Sequence, residues 1–151
     1  MSEIVTAKIN IKKVKEIAVT PTYGSEFSAG ADLYACMENK VVLQPGETKI
    51  IHTGIAMEVP MGYAGLIYAR SGLATKKGLA PANKVGVVDS DYRGEVMVAL
   101  HNHSIKAAEI EPGERIAQMV ITPYLKGLYQ EVENLEETKR GEGGFGSTGK
   151  K

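Results

Sequence analysis

The sequence predicts an all-β fold, a sandwich, jelly roll or barrel, with one short helix and a flexible, Gly-rich C-terminal arm. Three observations predict it. Apolar runs of strand length recur along the 151 residues and are separated by Gly and Pro turns. Helical periodicity is scarce. The strand pattern stops near Tyr124, and the chain closes on "RGEGGFGSTGKK", which gains little apolar burial on ordering.

Taken in order, Val5, Ala7, Ile9 and Ile11 alternate with polar residues, the pattern of a strand with one buried face. "VVLQPGETKIIHTGIAMEV" reads as a strand, a turn at Pro45-Gly46 and a second strand. "AAEIEPGERIAQMVITPY" repeats that plan around Pro112-Gly113, so two similar hairpins are expected. "YAGLIYA" and "GEVMVALHN" are apolar on both faces, as strands buried between two sheets would be. "SGLATKKG" supplies the helix, with Ser71 as the expected N-cap and Gly78 as the stop. "EVENLEETK" has poor apolar spacing and reads as a weak helix or an acidic connector. The expected division is a β-barrel domain over residues 1–127 and an arm over 128–151.

Composition bounds the partners. Lys plus Arg and Asp plus Glu are each 18, so no general field draws the chain to nucleic acid or to an anionic membrane. An anionic ligand must be gripped locally. Cys36 is the sole cysteine, which excludes an intrachain disulfide and a multi-Cys zinc site. "MSEIVTAKIN" has no signal-peptide apolar run, and no stretch reaches membrane-spanning length, so a soluble, cytoplasmic protein is expected.

Two stretches could carry chemistry. "GVVDSDYRGEV" sets Asp89 at the end of a strand and Asp91 in the turn after it. Both side chains could simply accept turn N–H groups in a hairpin. Asp89 could instead be partly enclosed and rigid, as a general base must be. Tyr92 offers a flat apolar face for a sugar or base. "ARSGLA" puts Arg70 and Ser71 at the start of the helix, where unpaired N–H groups and a guanidinium suit an anion; a plain cap beside a solvated Arg is the alternative. His101 and His103 share a strand face but have no third ligand nearby, so a solvated edge pair is expected. The tail from Gly144 to Lys151 imitates a phosphate-binding P-loop without its Ser or Thr, its strand or its helix.

Five stretches together resemble the trimeric dUTPase family, in that family's order: "AGADLYA" from Ala29, "ARSGLA" from Ala69, "NKVGVVDSDYRGEV" from Asn83, "PGERIAQMV" from Pro112 and "RGEGGFGSTG" from Arg140. Ala69 stands where many relatives have Pro, and Arg70 and Ser71 are intact. The resemblance implies a jelly-roll-like or distorted β-barrel subunit in a homotrimer with sites shared between subunits. It also implies hydrolysis of dUTP to dUMP and pyrophosphate with Mg2+, which keeps uracil out of DNA and supplies dUMP for dTMP synthesis. It further implies that Asp89 deprotonates the water attacking the α-phosphorus. Tyr92 would lie under the deoxyribose and exclude a 2′-hydroxyl. Asn83, Gly86 and neighbouring backbone would meet the uracil. Arg70, Ser71, Gly72 and Gln118 would hold phosphates. Arg140, Ser147 and Thr148 would close the γ end, with Gly146 among the substrate-binding residues and Phe145 stacking on the base. No residue is expected to ligate Mg2+ directly; Asp32 would act through metal-bound water or support the site.

Physics is consistent with these implications. A neutral chain without a carboxylate cluster needs local donors and a cation carried by phosphates and water. Two rivals belong to other classes: an enzyme of the related dCTP-deaminase fold, releasing ammonia, and a non-catalytic nucleotide-sensing or protein-binding module, which has no need of Asp89.

Overall fold

The computed structural model describes residues 3–149; Lys150 and Lys151, which complete the P-loop-like tail motif, lie outside them. Eleven strands and one helix are present among the described residues. They are β1 (Asn10–Lys13), β2 (Thr22–Tyr23), β3 (Ala31–Tyr34), β4 (Val41–Leu43), β5 (Thr48–Glu58), β6 (Tyr63–Tyr68), α1 (Ser71–Lys77), β7 (Leu79–Pro81), β8 (Gly86–Val88), β9 (Glu95–Asn102), β10 (Ala108–Ile110) and β11 (Arg115–Pro123). The strands form a four-stranded sheet in the order β1-β5-β9-β7, a five-stranded sheet β2-β3-β11-β6-β8 and a pair β10-β4. Every pairing is antiparallel.

One apolar core joins the three sheets. Ile51, Ile55, Val98 and Leu100 come from the four-stranded sheet, Leu33, Ile67, Ile116 and Met119 from the five-stranded one, and Leu43 and Ile110 from the pair. The all-β reading therefore holds, and the single short helix lies where "SGLATKKG" placed it.

Connectivity differs from the expected hairpins. The two Pro-Gly-Glu turns have matching geometry: Gly46 and Gly113 have φ of 77° and 78°, as position i+2 of a type II turn requires. In each, the Glu carboxylate turns back to accept the N–H of the residue before Pro, at 2.8 Å for Gln44 and 2.9 Å for Glu111. Yet neither turn closes a hairpin. Each carries the chain from the β10-β4 pair into a larger sheet, and the strands that precede the two turns pair with each other. A tight local turn thus fixes a reversal of direction, while burial chooses the pairing partner.

Three further expectations are corrected. Val5 and Ala7 are exposed, and the first strand runs only from Asn10 to Lys13. Its partner β5 ends at Glu58, opposite Asn10, so earlier residues have no strand to pair with. The helix is capped by Arg70 in an extended conformation, not by Ser71, and the cap has no side-chain hydrogen bond. β9 buries one face only; Val96, Val98 and Leu100 are buried whereas Met97 is exposed. "EVENLEETK" forms no helix, which leaves the connector of its two readings.

Candidate active site

Neighbouring strands of the five-stranded sheet place Asp32, Gln118 and Tyr68 in direct opposition, so their side chains share one face. They line a cleft of about 500 Å³ with Ser28, Arg70, Ser71 and Gly72. Asp32 is buried in its wall. Its Oδ1 accepts Arg70 Nε at 2.8 Å and its Oδ2 accepts Arg115 Nη1 at 3.4 Å. The carboxylate thereby fixes the direction of Arg70. Gln118 is held as firmly, because its Nε2 donates to Ala69 O at 2.9 Å and its side chain fills the space a Cβ on Gly30 would need. Arg70, Ser71, Gly72 and Gln118, the residues the resemblance assigns to phosphates, line this one cleft. Arg115, which supports Asp32 from the stretch "PGERIAQMV", is not marked by the sequence, because its partner lies 83 residues away.

The opposite face of the same sheet carries Ile67 and Val88, both in the core. Between this sheet and β9 lies a second cleft of about 210 Å³, lined by Ile67, Asn83, Gly86, Asp89, Tyr92 and Glu95 among others. Asp89 follows directly on β8. It is exposed rather than partly enclosed, and its connection to β9 spans two sheets instead of closing a hairpin. Asn83 opens a tight three-residue turn, with Val85 N–H donating to Asn83 O at 2.8 Å across a left-handed Lys84 (φ 68°). The Tyr92 hydroxyl donates to Glu95 O at 2.7 Å. Its ring lies so close over Gly94 that a Cβ there would sit 2.7 Å from Cζ.

The two clefts share no lining residue. The anion-suited groups and the base candidate of a single chain therefore do not converge on one another. The arm joins neither. From Arg140 it runs as successive turns, with Gly143 N–H to Arg140 O, Ser147 N–H to Gly144 O and Gly149 N–H to Gly146 O at 2.9–3.2 Å. Arg140 Nε donates to Gly143 O at 2.8 Å, and Phe145 is fully exposed. Among the described residues, the hydrogen bonds of residues 125–149 all stay within the arm. Phe145, Gly146, Ser147 and Thr148 thus stand apart from both clefts in the single chain. His101 is engaged by Thr48, Oγ1 to Nδ1 2.9 Å, and His103 lies beyond the end of β9.

Comparison with known proteins bears on this arrangement. The family model described as dUTPase matches residues 16–149, which include every residue of both clefts from Ser28 onward and the described arm. The chain belongs to the dUTPase family. The deoxyuridine 5'-triphosphate nucleotidohydrolase of Nautilia profundicola is 50% identical over 143 residues, 95% of this chain and 99% of the relative. The enzyme of the same name from Syntrophotalea carbinolica is 45% identical over 144 residues, 95% and 98% of the two chains. Among solved dUTPases, that of Staphylococcus bacteriophage 80alpha with dUPNHPP superposes with a TM-score of 0.86 at 30% identity, covering 95% of this chain and 99% of that one. A dUTPase from phage phi11 of S. aureus, described for its structural Mg(II) ion, gives 0.78 at 25% identity over 87% and 100%. The jelly-roll-like subunit that the resemblance implies is therefore the fold observed, that of dUTPases.

Proposed function

We propose that this chain hydrolyses dUTP to dUMP and pyrophosphate. Support comes from family membership and from relatives named for that reaction. The observation that carries the mechanism is the cleft that gathers Asn83, Gly86, Asp89 and Tyr92, in a chain whose separate anion-suited cleft presents Arg70, Ser71, Gly72 and Gln118. A triphosphate nucleoside needs both sets at once. Because one chain holds them in clefts with no residue in common, a complete site takes its two halves from different copies, most simply in a homotrimer.

In that site Asp89 accepts a proton from water as the water oxygen bonds to the α-phosphorus; the bond to the bridging oxygen breaks and pyrophosphate leaves. Exposure in the single chain leaves the carboxylate accessible to that water. Tyr92, fixed through its hydroxyl, provides the surface under the sugar and denies space to a 2′-hydroxyl. The Asn83 turn meets the uracil edge, where a wrongly matched buried polar group costs about 1–3 kcal/mol. Arg70 and Gln118, already held in place, bind phosphates without a large ordering cost. The arm supplies Arg140, Ser147 and Thr148 to the phosphates and Phe145 to the base.

Mg2+ fits as a companion of the triphosphate. Among the described residues no group of three or more His, Cys, Asp or Glu could hold a metal, and both oxygens of Asp32 already face guanidiniums. Phosphates and water would hold the ion, with Asp32 contributing at most through water, and when bound it draws charge from phosphoryl oxygens. No helix among the described residues is long and apolar enough to cross a membrane; a cytoplasmic setting fits the free, buried thiol of Cys36.

The test is pyrophosphate release with Mg2+ from each deoxynucleoside triphosphate and UTP in turn, with ammonia measured in parallel. Release from dUTP alone is expected. Ammonia release, or no turnover of dUTP, would reject the reading.

A further inference from the structure

Glu95 links two features that lie on opposite sides of β9. On one side, β5 and β9 lose register: Met97 pairs with His52, but Glu95 pairs with Ala56, so β5 passes four residues while β9 passes two. The extra residues form a bulge around Gly54, whose φ is 68°. Backbone hydrogen bonds hold the bulge on either side of Gly54. Gly54 O accepts Val14 N–H and His52 O accepts Cys36 N–H, both at 2.8 Å. A Cβ on Gly54 would strike Cys36 Sγ and Ala18 Cβ, so no other residue allows this packing. The Glu95 carboxylate ties into it through both oxygens: Oε1 accepts Gly54 N–H at 2.8 Å, and Oε2 lies 2.7 Å from His52 Nδ1.

On the other side, the carbonyl of the same residue accepts the Tyr92 hydroxyl at 2.7 Å. That bond closes a ring across Arg93 and Gly94, and the Tyr92 ring rests on Gly94 with no room for a side chain beneath it. A backbone carbonyl directs a hydroxyl only as well as its own peptide is fixed. The first residue of β9 sits next to a loop and would otherwise be free to rotate. Clamping its side chain to a rigid bulge removes that freedom.

We propose that Glu95, with His52, is a positioning residue for Tyr92: the clamp on the Gly54 bulge sets the peptide that orients the sugar-facing ring, and so sets discrimination against ribonucleotides. The proposal rests on the dUTP reading for its kinetic consequence and not for its structural one. Glu95 does not touch the reacting atoms. Its effect passes through Tyr92, which separates it from a residue that merely supports the fold.

The experiment has two arms. In the first, protein labelled with 3-fluorotyrosine is observed by 19F NMR without nucleotide, and Tyr92→Phe assigns the Tyr92 resonance by removing it. Glu95→Ala should shift that resonance, His52→Ala should shift it in the same direction by less, and Glu95→Gln should restore much of the wild-type position because its amide oxygen still accepts Gly54 N–H. An unmoved resonance in Glu95→Ala overturns the proposal, whatever the substrate. In the second arm, the ratio of kcat/KM for dUTP to that for UTP is measured. One hydrogen bond's worth of positioning corresponds to about a 5-fold fall in Glu95→Ala, and the fall should vanish when Tyr92→Phe is already present. A lower melting temperature with an unchanged ratio, or equal falls in both Tyr92 backgrounds, also overturns it. Absence of dUTP turnover in the wild type rejects the activity instead, and the NMR arm then decides the linkage alone.

Discussion

The cleft around Arg70 and the segment from Arg140 to Gly149 carry similar chemistry, a guanidinium beside hydroxyls and glycines, but they are built in opposite ways. Arg70 is set by a buried carboxylate from a strand 38 residues away, and Gln118 by a carbonyl 49 residues away. Both rest on antiparallel ladders that the core holds together. Arg140 is set only by a carbonyl three residues on, and no arm residue from Leu125 onward bonds to the domain among the described residues. The first region has its ordering cost met by folding. For the second, ordering must be met when a ligand arrives, at about 1–2 kcal/mol for each residue fixed. In the proposed site, one half of the phosphate grip is thus ready beforehand, and the other is conditional on substrate.

That contrast is tested most severely by removing chemistry while leaving both regions intact. Asp89→Asn keeps size and some hydrogen bonding but cannot take a proton. Turnover should fall by about 10²–10⁴-fold with dUTP binding retained, as pyrophosphate release and calorimetric titration would show. Near-normal turnover would remove Asp89 from its role.

Next in size is loss of the conditional region. Truncation after Lys139 should lower kcat/KM by about 100-fold and leave the melting temperature within a degree or two, since no hydrogen bond to the domain is lost. Mixing truncated chains with full-length Asp89→Asn chains should return part of the activity, because base and arm then come from different copies. Mixed assemblies without recovered activity would refute the shared site. Full activity in the truncated enzyme alone would refute the arm's part.

How far each region could be read from the sequence follows the same division. Fold class, the helix and the turn chemistry were legible, because period-2 alternation and the PGE stretches act locally. Which strands pair was not. Gly46 and Gly113 reveal turns, but only three-dimensional burial shows that β4 pairs with β10 and not with the strand its own turn leads into. The family was legible through five ordered motifs, while the ion pair of Arg115 with Asp32 spans 83 residues and leaves no periodic trace. Val5 and Ala7 show the converse: alternation without a partner strand makes no sheet.

The prepared region can be loosened without touching a phosphate donor. Asp32→Ala removes the acceptor that fixes Arg70 and Arg115, leaving two like charges without their shared partner. KM for dUTP should rise about 10-fold, the equivalent of one charge-assisted hydrogen bond. The rise should be larger than the fall in kcat, because Arg70 remains but must be ordered by the ligand. Arg70 would then resemble Arg140. A change in kcat alone would instead place Asp32 in the chemical step.

The smallest effect concerns stability and again separates domain from arm. Burial raises the Glu95 carboxyl's pKa, but hydrogen bonds from His52 and Gly54 N–H, with the charges of His52 and Lys15, outweigh it and hold the group below its ordinary value. A carboxyl whose folded pKa is lowered binds fewer protons folded than unfolded. Its stabilising contribution is present above the unfolded value, about 4.3, and is lost as pH falls through the folded one. Glu95→Gln should therefore destabilise the domain by about 1 kcal/mol at pH 7, seen as a lower denaturation midpoint in urea. The gap between variant and wild type should narrow below about pH 4, because the wild-type carboxyl is then protonated too. Truncation of the arm should leave this pH dependence unchanged, since Glu95 bonds only to β5 and to the Tyr92 loop. A gap that stays constant down to pH 2 would mean that the charge on Glu95 contributes nothing and that packing alone holds the bulge.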